Sequence, residues 1–197
     1  MNRAIFVDRD GTLIEEVNFL SKPSQVRWIP GVLERLAQLY RQGWQIIMVT
    51  NQSGVARGLF TLEDVQAVYA FMQSQLEEYG GRFQAMYCCP HHPQFSLTEA
   101  ERHCSCRKPQ PGMYLQAQKD WDLDLKRCVA FGDKLSDLQG PLQLGCRAFL
   151  VGTGYGAAER LQIDPARYPQ LEFCSDLSAG LELLLPAPEP LLKPSSP

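Results

Sequence analysis

Short apolar runs bounded by turn residues recur at Ala4–Val7, Gln45–Val49, Ala85–Cys89, Cys128–Phe131 and Ala148–Val151. They are rich in β-branched and aromatic residues and too short for helices, which predicts buried strands. The segments between them carry a different period. Val32, Leu36, Leu39 and Tyr40 fall on one helical face, and so do Leu62, Val65, Tyr69, Met72 and Leu76. Thr61, with Asp64 three residues later, has the spacing of a capping box and marks the start of the second helix. Further helices are predicted over Met113–Trp121, Leu135–Leu144 and Leu177–Leu185.

Strands alternating with helices predict an α/β fold, a Rossmann-like three-layer sandwich around a central parallel sheet. In such sheets ligands bind outside the carboxyl ends of the strands. The chain has 197 residues, enough for one domain with a substantial core and too few for two ordinary α/β domains, so one domain over 1–185 and one active site are expected. The stretch from Pro186 to Pro197 has five prolines in twelve residues and is expected to be a disordered tail. One long connection, Pro90 to Pro111, lacks periodicity, a length associated with function.

Charge changes the picture by exclusion. Nineteen Lys and Arg against 22 Asp and Glu leave a net charge of −3, with no basic tract, so nucleic acid is not an expected partner. The apolar run at the N-terminus spans only Ala4 to Val7 and is closed by charges, unlike a signal peptide or a membrane span; a cytoplasmic location with no membrane partner is expected. Seven cysteines is an odd number. Cys128, Cys146 and Cys174 lie in apolar surroundings, where cysteine behaves as a small buried hydrophobe, so a disulfide framework is not expected.

The candidate chemistry sits at strand ends. Asp8 and Asp10 follow the first strand, with Gly11 and Thr12 behind them. In extended chain, side chains two apart point to the same side. Acids in that place also serve turns and helix caps, so the pair alone leaves nucleophile and turn residue both open. After the second strand comes Thr50-Asn51-Gln52-Ser53-Gly54, whose hydroxyl and N–H groups suit phosphate oxygens at a helix N-terminus. Arg107 and Lys108 end the long connection, and Gly132-Asp133-Lys134-Leu135-Ser136-Asp137 follows the fourth strand. A helix N-terminus that favours negative charge accounts for one of those last acids but not for the whole ordered set.

That set, DxDGT, a strand-end Thr, a Lys and GDxxxD, resembles the haloacid dehalogenase (HAD) superfamily of phosphotransferases across residues 4 to 152. The residues suit the chemistry in their own right. Hydrolysis of a phosphate monoester needs an in-line nucleophile, neutralised equatorial oxygens and a proton for the leaving alkoxide. Asp8 can be the nucleophile, forming an aspartyl phosphate. Mg²⁺ takes one or two carboxylates, here Asp8 and Asp133. Thr50 and Lys108 would stabilise the phosphoryl group, with Asn51, Gln52 and Ser53 beside Thr50. The resemblance adds the main-chain carbonyl of Asp10 as a metal ligand and makes the Asp10 side chain the general acid, then base.

Within the long connection, Cys89-Pro90-His91 and Cys104-Ser105-Cys106 give the spacing C-x-H-x12-C-x-C over residues 89–106. Three thiolates and one imidazole make a closed tetrahedral zinc set of the structural kind. The competing reading is a chance cluster of buried thiols or a redox pair, but this polar loop offers no core to bury them. Cys88 and His92, adjoining the set, leave ligand identity open at this point.

The DRDGT start without an inserted cap domain, the zinc loop and the stretch TNQSGVARG together look like the heptose bisphosphate phosphatase branch of that superfamily. Histidinol-phosphate phosphatases share most of these features. The resemblance implies removal of the C7 phosphate of a sugar bisphosphate in ADP-heptose synthesis for the lipopolysaccharide core. It implies that Arg107 recognises substrate, that Lys134 lies near the metal and phosphate, and that Glu16, Val17, Asn18 and Phe19 line the pocket. The bidentate grip of Arg107 on a second phosphate favours the bisphosphate. Arg57 is an isolated basic residue for which a surface role weighs as much. A zinc-stabilised binding protein without catalysis is the reading from another class, and intact Asp8, Asp10, Lys108 and Asp133 argue against it. No exposed apolar heptad is present, so a monomer is expected.

Overall fold

The computed structural model describes residues 1–186; the rest of the proline-rich stretch expected to be a disordered tail lies outside the described residues. The apolar runs become strands because both of their faces are covered. Ile5 and Val7 enter one core while Ala4 and Phe6 enter the other, and the same alternation places Met48 opposite Val49. The strands are β1 (Ala4–Val7), β2 (Gln45–Asn51), β3 (Phe83–Cys89), β4 (Val129–Gly132), β5 (Arg147–Val151) and β6 (Leu171–Cys174). They form one six-stranded sheet in the order β3-β2-β1-β4-β5-β6. Every pairing is parallel, and β1 is central: Phe6 faces Ile47 of β2 on one side and Ala130 of β4 on the other.

The helices are α1 (Val32–Arg41), α2 (Leu62–Glu78), α3 (Glu99–Arg102), α4 (Gly112–Trp121), α5 (Leu135–Gln143), α6 (Gly156–Arg160) and α7 (Leu177–Glu182). α1, α2 and α7 cover one face of the sheet through Leu36, Met72 and Leu181. α4 and α5 cover the other through Met113, Ala117 and Leu138. The result is the expected three-layer α/β sandwich. Thr61 caps α2 as expected, accepting from the Asp64 N–H while Asp64 accepts from the Thr61 N–H.

Three elements were not expected from the periodicity. β6 is an edge strand of four residues with three of them half-buried, α6 has five residues, and α3 is a four-residue turn inside the long connection between β3 and α4, capped by Thr98 and Glu101. Cys128 and Cys146 are buried as expected, Cys174 is half-buried, and all seven cysteines are unbridged. No helix among the described residues is long and apolar enough to cross a membrane.

β1 leads outward to β2 and β3, whereas β4 leads the other way to β5 and β6. The connections therefore reverse between β1 and β4, and the crevice beyond the carboxyl ends of these two strands is where such a sheet binds ligands.

Candidate active site

Asp8 leaves β1 at that crevice, its N–H still donating to the Phe131 carbonyl of β4 (3.1 Å). Beside it, Lys108 is buried with only 4% of its surface exposed, and its Nζ reaches Asp8 Oδ1 (2.6 Å), Asp137 Oδ1 (2.8 Å) and the Val49 carbonyl (2.8 Å). All three ammonium protons thus have acceptors. Burial alone would lower the Lys108 pKa, but Asp137 and Asp8 outweigh it and hold the group charged. Lys108 arrives on the long connection, and Asn51 fixes it there. The Asn51 side chain accepts from the Lys108 N–H (3.1 Å) and donates to the Lys108 carbonyl (3.2 Å). The amide expected to touch phosphate is therefore engaged with the backbone of the lysine.

Asp10 is held by a second network. Arg9 Nε donates to both Asp10 carboxylate oxygens (3.1 Å each) and Arg9 Nη2 to Oδ2 (2.9 Å), a forked pair. Gln52 Nε2 bridges Asp10 Oδ2 (2.9 Å) and Thr50 Oγ1 (2.8 Å), while Gln52 Oε1 accepts from Arg9 Nη2 (3.0 Å). Arg9 is 1% exposed, which nothing in the sequence signalled; next to a DxD pair its charge reads as surface. Asp137 was legible as the last acid of GDxxxD and Lys108 as a phosphate-binding cation, but the pairing of the two was not.

Asp133 is wholly buried at the end of β4. Its Oδ2 accepts from the Tyr155 N–H (2.8 Å), while Oδ1 has no protein partner. Two glycines make room for this carboxylate. A Cβ on Gly154 (φ +57°) would lie 3.0 Å from Asp133 Cγ and 2.7 Å from the Gly11 Cα, and one on Gly11 (φ +77°) would lie 2.8 Å from Asp133 Cγ. Glycine alone fits both the space and the backbone there. Carboxylate oxygens of Asp8, Asp133 and Asp137 lie within 4.8 Å of one another. Burial first, then the charges of Asp8 and Asp137, push Asp133 up to about 8. Burial outweighs Lys108 and pushes Asp8 up to about 7. Three clustered acids, only two of them paired with Lys108, and a bare buried oxygen on the third suit a hard divalent cation.

Above them opens a cleft of about 370 Å³ lined by Asp8, Asp10, Thr50, Asn51, Gln52, Ser53, Arg107, Lys108 and Lys134. Of the segment expected to line it, Glu16, Asn18 and Phe19 do so. Val17 does not: its apolar side chain packs instead against the core beneath. Tyr155, Phe60 and Ser136 also line the cleft, and the Lys134 ammonium rests 3.9 Å from the centre of the Tyr155 ring. The Glu16 carboxyl is pushed up by burial and then by Asp10, with Lys134 and Arg9 opposing.

Beside the cleft, Cys89, His91, Cys104 and Cys106 bring one ligand atom each within 4.8 Å of the others. Cys89 and Cys104 sulfurs are 3.7 Å apart, Cys89 and Cys106 3.1 Å, and Cys106 Sγ lies 3.5 Å from His91 Nδ1. Tetrahedral zinc with Zn–S bonds of about 2.3 Å sets sulfurs about 3.8 Å apart, a spacing that Cys89 and Cys104 meet while Cys89 and Cys106 lie closer. His92 stands outside it, with its Nε2 at 3.1 Å from Arg57 Nη2. Burial would raise the Cys104 thiol, but hydrogen bonds with Cys106, His91, the Arg107 N–H and Cys89 bring it down to about 7. Cys89 and Cys106 are held up, by burial first. Sulfurs this close ionise together only around a cation.

Similarity to known proteins agrees with this geometry. A family profile described as polynucleotide kinase 3 phosphatase matches residues 3–136, and one described as HAD-hydrolase-like matches residues 105–179. A D-glycero-beta-D-manno-heptose-1,7-bisphosphate 7-phosphatase of Bordetella bronchiseptica is 37% identical over 185 residues, 93% of this chain and 98% of that protein. The chain belongs to the HAD-like phosphatases. A relative of the same name from Yersinia pestis is 39% identical over 153 residues, 77% of this chain and 81% of that protein. Among solved structures, the D,D-heptose 1,7-bisphosphate phosphatase from B. bronchiseptica, complexed with magnesium and phosphate, aligns with a TM-score of 0.83 at 37% identity, covering 93% of this chain and 98% of that one. The HAD-like phosphatase fold thus accounts for the sheet order and for the crevice that holds Asp8 and Asp133.

Proposed function

We propose that this chain is a magnesium-dependent phosphatase that removes the C7 phosphate of D-glycero-D-manno-heptose 1,7-bisphosphate, a step in ADP-heptose synthesis for the lipopolysaccharide core. The observation that carries this reading is the convergence of Asp8, Lys108 and Asp133 at the switch point, in a chain 37% identical over 93% of its length to a heptose bisphosphate phosphatase.

Asp8 attacks phosphorus through a carboxylate oxygen, the bond to the sugar oxygen breaks, and Asp10 gives its proton to the departing alkoxide. Water then attacks phosphorus, Asp10 takes a proton from it, and the Asp8 carboxylate is released with inorganic phosphate. Asp8, Asp133 and the main-chain carbonyl of Asp10 would hold Mg²⁺, which supplies charge neutralisation at a phosphate oxygen. Lys108 and Thr50 stabilise the phosphoryl group, joined by Ser53. Arg9 and Gln52 aim Asp10, and Asn51 acts through Lys108 by holding its backbone. Cys89, His91, Cys104 and Cys106 would hold a structural Zn²⁺, which fixes the loop that delivers Arg107 and Lys108. Arg107 and Lys134, with Glu16, Asn18 and Phe19, form the wall against which the sugar lies.

Phosphate release with Mg²⁺ from heptose 1,7-bisphosphate, fructose 1,6-bisphosphate and histidinol phosphate tests the reading. The heptose substrate should have the highest kcat/KM, and Asp8→Asn should abolish release from it while the unfolding temperature is kept. Preference for histidinol phosphate would refute the substrate, and turnover by Asp8→Asn would refute the nucleophile.

A further inference from the structure

Arg57 is exposed in the loop after β2, yet it does not extend into solvent. Its guanidinium carbon lies 4.1 Å from the centre of the Phe95 ring in the zinc loop and 5.8 Å from that of Phe19, which lines the cleft. Its Nη2 is 3.1 Å from His92 Nε2. The preceding residue, His91, accepts from Arg107 Nη1 through its carbonyl (2.8 Å). Two consecutive residues of the zinc loop therefore each contact a guanidinium group, that of Arg107, which lines the cleft, and that of Arg57, which lies near the cleft-lining Phe19.

Among the described residues, neither arginine has a carboxylate within ion-pair reach. Two like charges held by adjacent residues are thus left without an acid to offset them. Stacking on Phe95 fixes the plane of the Arg57 fork, so little side-chain freedom is left to lose when an anion arrives. Two guanidinium forks match the several oxygens of a phosphate dianion. Phe19, in the left-handed region at φ +56°, lines the cleft with a half-exposed ring that also lies near the Arg57 guanidinium.

We propose that Arg57 joins Arg107 in a subsite for the phosphate that is not cleaved, and that Arg57 sets the preference for a sugar bisphosphate over the matching monophosphate. This rests on the function proposed above and extends it to a residue outside the catalytic crevice.

The test compares kcat/KM of the full-length, zinc-loaded enzyme with Mg²⁺ on heptose 1,7-bisphosphate and heptose 7-phosphate, for wild type, Arg57→Gln and Arg57→Lys. In Arg57→Gln the bisphosphate-to-monophosphate ratio should fall by about tenfold or more, carried by KM, as expected for loss of a charge-assisted hydrogen bond. Arg57→Lys, which keeps the charge and loses the fork, should fall between the two. A ratio equal to wild type in Arg57→Gln overturns the proposal, and so does an equal loss on both substrates, which would mark a role in folding the loops. Failure of wild type to release phosphate from the bisphosphate refutes the underlying function instead, and the subsite with it.

Discussion

Replacing Gly154 by alanine tests how tightly Asp133 is held. The new Cβ would meet Asp133 Cγ at 3.0 Å and the Gly11 Cα at 2.7 Å, closer than nonbonded carbons approach, and Asp133 Oδ2 closer still. Holding alanine in the left-handed region costs about 1 kcal/mol, and forcing an extra carbon into a filled space adds about 1–3 kcal/mol. The sum, about 2–4 kcal/mol, should lower the unfolding temperature of a domain this size by about 4–16 °C. Gly43 supplies the control, since it also has positive φ (+81°) but nothing lies within 4 Å of its Cβ position. Gly43→Ala should lose only about 2–4 °C. Thermal unfolding by circular dichroism, with and without Mg²⁺, separates backbone strain from crowding at the carboxylate. Because the added methyl displaces Asp133, the stabilisation by Mg²⁺ should also shrink in Gly154→Ala and persist in Gly43→Ala. Equal losses in the two variants, or a full Mg²⁺ effect in Gly154→Ala, would refute the account of Asp133.

Two further outcomes follow from the candidate metal sites. Cys104→Ala should bind less than about one zinc per chain by elemental analysis and lose phosphatase activity through disorder at Lys108, whereas undiminished zinc would remove Cys104 from the ligand set. The second concerns pH. Folded Asp8 and Asp133 hold their protons up to about 7 and about 8, from an ordinary value of 3.8, chiefly through burial. Their contribution to stability is therefore complete below about pH 4 and is lost as pH rises through 7 to 8. Mg²⁺ competes with those protons, so the rise in unfolding temperature it produces should be larger at about pH 8.5 than at about pH 6; equal rises would contradict the burial argument.

Much of the fold was legible because a parallel sheet buries both faces of its strands. Ile5 and Phe6 sit in different cores, so the run reads as uninterrupted apolar sequence. The same logic hid β6. Leu171 is buried but Glu172, Phe173 and Cys174 are only half-covered at the sheet edge, leaving no continuous run. The acids of the site were legible by their place after strands, and Lys108 by its place at the end of the long connection, whereas the burial of Arg9 was not. Arg9 is buried by its fork to Asp10 and its bond with Gln52, a contact across 43 positions that no local pattern carries. Asn51 belongs to a phosphate-like run, yet its amide faces a backbone 57 residues away. Val17 was grouped with the pocket as part of the segment Glu16 to Phe19 that the family resemblance implies, and its side chain turned to the core because it is apolar.

The ion pair between Asp8 and Lys108 spans 100 residues. During synthesis Asp8 emerges long before Lys108, and Lys108 before Asp137, so the charge cluster assembles only after most of the domain has left the ribosome. A fragment that ends before α5 can hold the DRDGT motif but not the balanced site. Loop closure of this length also makes the catalytic crevice a late, nonlocal product of folding, which couples enzymatic competence to completion of the whole sheet.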